Sequence, residues 1–145
     1  MTVLNRSICE DCGRILYERG GHLMIEAARM ATGTAPADTF MAELERSGQL
    51  DKLADIAIRF EDFARTGTLS VPVQLKHIEN GIHQVKAVTV RLLFYYTNHF
   101  SHETVRLTNG YIKRARECPP KYIRLARRVR HGHGKVGECA PGSFS

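Results

Sequence analysis

Apolar residues change their spacing along this chain, and each change marks a different kind of element. Between Pro36 and Gly67 they recur every three to four positions, the period of a helix with one buried face. Pro36 suits a first helical turn, because its fixed φ is helical and its missing N–H would be unpaired there in any case. Phe40, Met41 and Leu44 give this helix an apolar side, and Gly48 stops it. A second helix is expected from Leu50 to Arg65, with Leu53, Ile56, Ala57, Phe60 and Ala64 in register, Phe63 beside them and Gly67 just past the end. Two amphipathic helices joined by a tight glycine turn read as an αα-hairpin packed on something flat. Ahead of them, HLMIEAARMATG (22–33) reads as a strand.

After a loop containing Pro72 the period falls to two. Strands are expected over 82–87, 89–97 and 103–108, in the simplest case as a meander, although Ala87-Val88 is poor turn chemistry. Pro119 and Pro120 then open a last helix. At about 100° per residue, Tyr122, Leu125, Ala126 and Val129 form its apolar stripe, Lys121, Arg124 and Arg128 lie opposite, and Arg127 and Arg130 flank them. The closing HGHGKVGECAPGSFS reads as a flexible Gly-rich tail from 131 to 145.

Charge sharpens the picture. The formal net charge is +6, but residues 1–110 carry 12 Lys and Arg against 13 Asp and Glu, whereas residues 111–135 carry nine against one. The basicity is a local patch, which speaks of a partner more than a high isoelectric point does. Nucleic acid, an acidic protein and an anionic membrane surface are each compatible with it. No apolar run approaches the roughly 20 residues of a membrane span, and the first residues lack the apolar core of a secretion signal. Four cysteines are too few for a dense disulfide framework, so reduced thiols in the cytoplasm are expected. Cys9 and Cys12 have the spacing of half a zinc site, but its other ligands would have to come from His22, His131, His133 or Cys139, far along the chain. These cysteines read as ordinary thiols, His99 and His102 as flanks of a turn, and no metal or cofactor is expected.

Strand parity brings chemistry to one face. If the helices cover Val90, Leu92, Val105 and Leu107, the other face displays Lys86, Arg91 and Arg106, and Asn109-Gly110-Tyr111-Ile112-Lys113-Arg114 follows at once. Strand-borne cations are singly most often just solvated. Three on one face beside a basic segment and an aromatic residue suit a flexible polyanion, whose phosphates they neutralise.

These residues carry a resemblance. From about Met24 to Val129 the chain resembles the RelE/ParE superfamily of toxins from toxin–antitoxin systems, in its HigB-like, phage-derived branch. A Pro-led first helix, here Ala35-Pro36-Ala37-Asp38-Thr39-Phe40, precedes a Gly-Leu-Trp-Glu-Leu-Arg strand, here Gly81-Ile82-His83-Gln84-Val85-Lys86. Arg91-Leu92-Leu93-Phe94 stands for Arg-x-x-Tyr, and Asn109-Gly110-Tyr111-Ile112-Lys113-Arg114, then Cys118-Pro119, stands for His-Gly-Phe-x-Lys-Lys and Thr-Pro. The resemblance implies a small α+β toxin domain over 24–130 after an N-terminal extension (1–23), with a strand and αα-hairpin on a curved antiparallel sheet and a basic C-terminal helix. It implies ribosome-dependent, metal-independent cleavage of mRNA by 2′-OH attack on the adjacent phosphate, and neutralisation by a small antitoxin. Lys86, Arg91, Tyr111 and Lys113 would be catalytic, and Arg106, Asn109, Arg114 and Arg116 would bind RNA. The family His is Asn109 here, its Trp is His83 and its Tyr is Phe94, so a base would come from Tyr111 or the ribosome. The alternative is a non-catalytic inhibitory module, aimed at gyrase as in the ParE branch or at nucleic acid through the last helix.

Overall fold

A computed structural model describes residues 3–10, 13–71, 73–99 and 102–133. In chain order the elements are β1 (Ser7–Ile8), β2 (Ile15–Arg19), β3 (Met24–Ala27), α1 (Pro36–Arg46), α2 (Leu50–Thr66), β4 (Leu75–Glu79), β5 (Ile82–Ala87), β6 (Val90–His99), β7 (His102–Ile112) and α3 (Pro120–His133). The architecture is α+β: one seven-stranded sheet in the order β1-β2-β3-β7-β6-β5-β4, in which β3 pairs parallel to β7 and every other pair is antiparallel.

The helix hairpin forms as its pattern predicts. Pro36 opens α1, and Gly67 at φ 77° closes α2 in the left-handed conformation that favours glycine. Met41, Leu44, Leu53, Ile56, Phe60 and Phe63 bury against Val85, Val90, Leu92, Phe94, Val105 and Leu107. Leu93 and Ile82 point to the other face, where Ala126 and Tyr122 of α3 meet them. The sheet is therefore covered by α1 and α2 on one side and by α3 on the other. Among the described residues no helix is long and apolar enough to cross a membrane.

Three expectations need correction. Residues ahead of Met24 are not an appendage: β1 and β2 extend the sheet, and Leu4, Ile15, Tyr17 and Leu23 lie in the core. The strand expected over 22–33 pairs only through Ala27, since Met30 and Gly33 close a turn in which the Met30 N–H donates to Thr34 and the Gly33 N–H to Met30. The tail assignment fails at its start, because His131 and His133 are the last turn of α3 and the His133 ring is buried, accepting the Arg29 N–H at 2.9 Å through Nδ1. The rest of the expected tail, 134–145, lies outside the described residues, as does Cys12.

Two irregularities in the meander matter for the site. At the β6–β7 pair the register slips between Leu93 and Phe94, so Thr108 is an extra residue, and its hydroxyl donates to the Leu93 carbonyl at 3.1 Å. The bulge reverses parity: Asn109 and Tyr111 join the face that carries Arg91 instead of the face that carries Leu107. Gly110 lies between them because α1 presses there; a Cβ would stand 2.6 Å from the Phe40 ring. The second irregularity is the two-residue β5–β6 turn, in which Val88 takes φ 56° while 65% exposed. A β-branched residue in the left-handed region costs roughly 1–2 kcal/mol. Val88→Gly removes little packing, and its expected effect is a gain of about 1 kcal/mol after glycine's entropy loss, read as a higher urea midpoint.

Candidate functional site: a cationic groove

Register builds the site. Lys86 pairs with Arg91, and Arg91 with Tyr111, so three neighbouring strands set these side chains in one row on the α3 face. The next row back holds Gln84 on β5, and its partner on β4 is Lys76. Lys113 leaves β7 with its N–H donated to the Thr89 carbonyl, which keeps it beside the β5–β6 turn. Arg116 and Cys118 follow in the connection to α3, and Ile123 closes the wall. The result is an open groove of about 230 Å³ lined by Lys76, Lys86, Arg91, Lys113 and Arg116 around Gln84 and Tyr111, with two acids, Glu79 and Glu117, also in its wall.

The guanidinium of Arg91 is the fixed point. It is 8% exposed, and its Nη1 donates to the carbonyls of Val88 at 2.7 Å and Val90 at 3.0 Å. Among the described residues no carboxylate pairs with it. Burial lowers its pKa, yet an arginine stays charged, so this is a desolvated cation held by neutral acceptors and suited to an anion. Lys86 is also lowered, by burial first and then by Arg91, Lys76 and Lys113, so three other cations lie within electrostatic reach of it.

Tyr111 is buried rather than open. Its ring stacks on Tyr122 with centroids 4.4 Å apart and planes 6° from parallel, and its hydroxyl donates to Gln84 Oε1 at 2.7 Å. Burial, and then the Cys118 thiol beside it, push the phenol well above its ordinary value. A phenol held protonated as a donor does not act as a base near neutral pH, and a ring face already covered by Tyr122 does not stack a nucleobase.

Of the eight residues singled out from the sequence, Lys86, Arg91, Tyr111, Lys113 and Arg116 line the groove and Arg114 is exposed beyond it. Arg106 and Asn109 go elsewhere. Arg106 shares the face but not the groove: its Nε donates to buried Glu26 at 2.8 Å, and Arg14 holds the other carboxylate oxygen through Nε at 2.7 Å. Asn109 is buried and its amide donates to the Tyr122 carbonyl at 3.1 Å, tying α3 to the sheet. Lys76 was missed because LKHIE is short and shows no alternation of apolar and polar residues.

A second cavity, about 280 Å³, lies on the helical side between Leu4, Tyr17, Met41, Leu50 and Leu53. The half-buried Asp38 carboxylate that lines it is held by Arg6 at 2.8 Å and by the Tyr17 hydroxyl at 2.7 Å, so it offers no open chemistry. Among the described residues no group of three or more His, Cys, Asp or Glu is placed to hold a metal. Cys9 is buried. No known protein family matches the chain, and no curated protein matches it.

Proposed function

We propose that this chain is a RelE/HigB-like toxin: a cytoplasmic, ribosome-dependent endonuclease that cuts mRNA by 2′-OH attack and is silenced by an antitoxin covering the groove. The observation that carries the reading is the convergence of Lys86, Arg91 and Lys113, from two strands and a strand exit, on one groove in which, among the described residues, no acid pairs with the arginine. The order of strand, two helices, meander and final helix supports it. A metal-free transesterification needs a base at the 2′-OH, cations at the phosphorane and an acid at the 5′-oxygen. Lys86, with its lowered pKa, takes the hydroxyl proton. Arg91 receives the phosphorane oxygens, Lys113 gives its proton to the leaving 5′-oxygen, and Lys76 and Arg116 hold flanking phosphates. Asn109 contributes by fixing α3, not by proton transfer.

The test is translation of a defined mRNA with purified ribosomes and the full chain, read by primer extension. Cuts that appear only when ribosomes translate, with 2′,3′-cyclic phosphate ends, are expected. Intact mRNA together with unimpaired translation would overturn the reading, and DNA damage signalling on induction with intact mRNA would point to the gyrase alternative.

Proton transfer by Lys86 has its own consequence. A lysine base works in its neutral form, and like-charged neighbours raise the neutral fraction by lowering the pKa. Lys76→Met removes one such neighbour while leaving Lys86 and Arg91 in place. The rising limb of the pH–rate profile is expected to move to higher pH, with a severalfold lower rate near neutrality; a profile that stays put excludes Lys86 as the base.

A further inference from the structure

Helix α3 carries a second cationic surface that faces away from the groove. Its apolar side is spent on the sheet, where Ala126 and Val129 are fully buried and Tyr122 and Leu125 half-buried. Two of its arginines are spent as well: Arg127 bridges Glu79, and Arg130 donates to the Asn80 carbonyl at 2.6 Å. Lys121, Arg124 and Arg128 are exposed, and among the described residues no carboxylate pairs with any of them; Lys121 lies 5.0 Å from the Tyr122 ring centre. At about 100° per residue the three fall within an arc of roughly 60°. Ile123, the α3 residue that lines the groove, is roughly 100–160° round the helix from them. Arg124 and Arg128 are about 6 Å apart along the axis, close to the spacing of successive phosphates.

We infer that this stripe grips the sugar–phosphate backbone of double-helical RNA, while the groove takes a single strand. The inference rests on the nuclease reading only for the choice of RNA. The composition of the stripe decides between partners. A stable protein interface needs an apolar centre, and this stripe has none because its apolar neighbours are buried under α3. A membrane-bound amphipathic helix would offer that same apolar side to lipid, and here the sheet covers it. Contacts to a phosphate backbone need only charge at suitable spacing.

The experiment is fluorescence anisotropy of the full chain with two probes, an RNA hairpin of about 20 base pairs and an unstructured single strand of about 12 nucleotides, across a salt series. Lys121→Gln/Arg124→Gln/Arg128→Gln is expected to bind the hairpin at least tenfold more weakly, with a salt slope smaller by about two to three units. It is expected to bind the single strand within twofold of wild type and to cleave mRNA at the wild-type rate once ribosomes are saturating. Hairpin affinity and slope equal to wild type would overturn the inference. Equal losses on both probes would also overturn it, since the stripe would then be part of one field with the groove. Displacement of the hairpin by a polyglutamate peptide at lower concentration than by unlabelled RNA would replace the RNA partner with an acidic protein. Hairpin binding through the stripe in a chain that leaves mRNA intact would retire the nuclease proposal and leave this one standing.

Discussion

Arg91→Lys is expected to slow RNA cleavage by about 10²–10³-fold while the chain keeps its fold, the loss found when one preorganised donor to a developing oxyanion is removed. The substitution keeps the charge and discards the planar fork. Arg91 has two duties that the variant separates. Nη1 is committed to the Val88 and Val90 carbonyls, which fixes the guanidinium in the row between Lys86 and Tyr111. A lysine ammonium reaches one of those carbonyls or the phosphate, not both in a fixed plane. The cost to the fold is the loss of one or two side-chain hydrogen bonds to the β5–β6 turn, about 1 kcal/mol. A near-normal melting temperature with a rate down by two orders of magnitude is therefore the expected pair of results. Cleavage within threefold of wild type would show that the desolvated guanidinium holds the turn and nothing else.

What the sequence made legible follows a physical line. Helices α1, α2 and α3 were visible because long periodic runs end in glycine or begin with proline, and both signals are local. Strands β5, β6 and β7 were visible by alternation, to within a few residues. The two-residue β1 and the five-residue β2 and β4 carry too few positions to show a period. The groove itself was half legible. Lys86 and Arg91 follow from parity alone, and Lys113 follows from its place at a strand exit. Tyr111 reaches the groove only because Thr108 is an extra residue, and nothing in TVRLTNGYI marks a bulge. Arg106 shows the opposite failure: parity put it on the correct face, but its partner Glu26 stands 80 residues earlier, on a strand that becomes its neighbour through a parallel pairing no local rule foresees.

That pairing yields the largest expected effect on stability. Glu26 is fully buried, sits opposite both Leu16 and Arg106 in the sheet, and binds two arginines that are themselves 2% and 6% exposed. Removing one member of a buried ionic cluster leaves charge in low dielectric without its counter-charge, at a cost of about 3–5 kcal/mol. A domain of this size is stable by about 5–15 kcal/mol, so Glu26→Gln is expected to lower the urea midpoint severely, with the slope of the transition unchanged. Gln keeps the shape and two polar atoms, and the loss is therefore electrostatic rather than a cavity. The damage falls where β3 joins β7, so the N-terminal strands lose their ionic tie to the meander that builds the groove. Removing a guanidinium as well should restore part of the loss: Glu26→Gln/Arg106→Met is expected to be more stable than Glu26→Gln alone, since a buried charge is exchanged for an apolar side chain of similar length. A double variant no better than the single one would locate the cost in packing instead. The same double variant has a functional reading, because Arg106 lies outside the groove. Restored stability should bring mRNA cleavage back with it, whereas an Arg106 that contacts RNA would leave the rescued fold inactive.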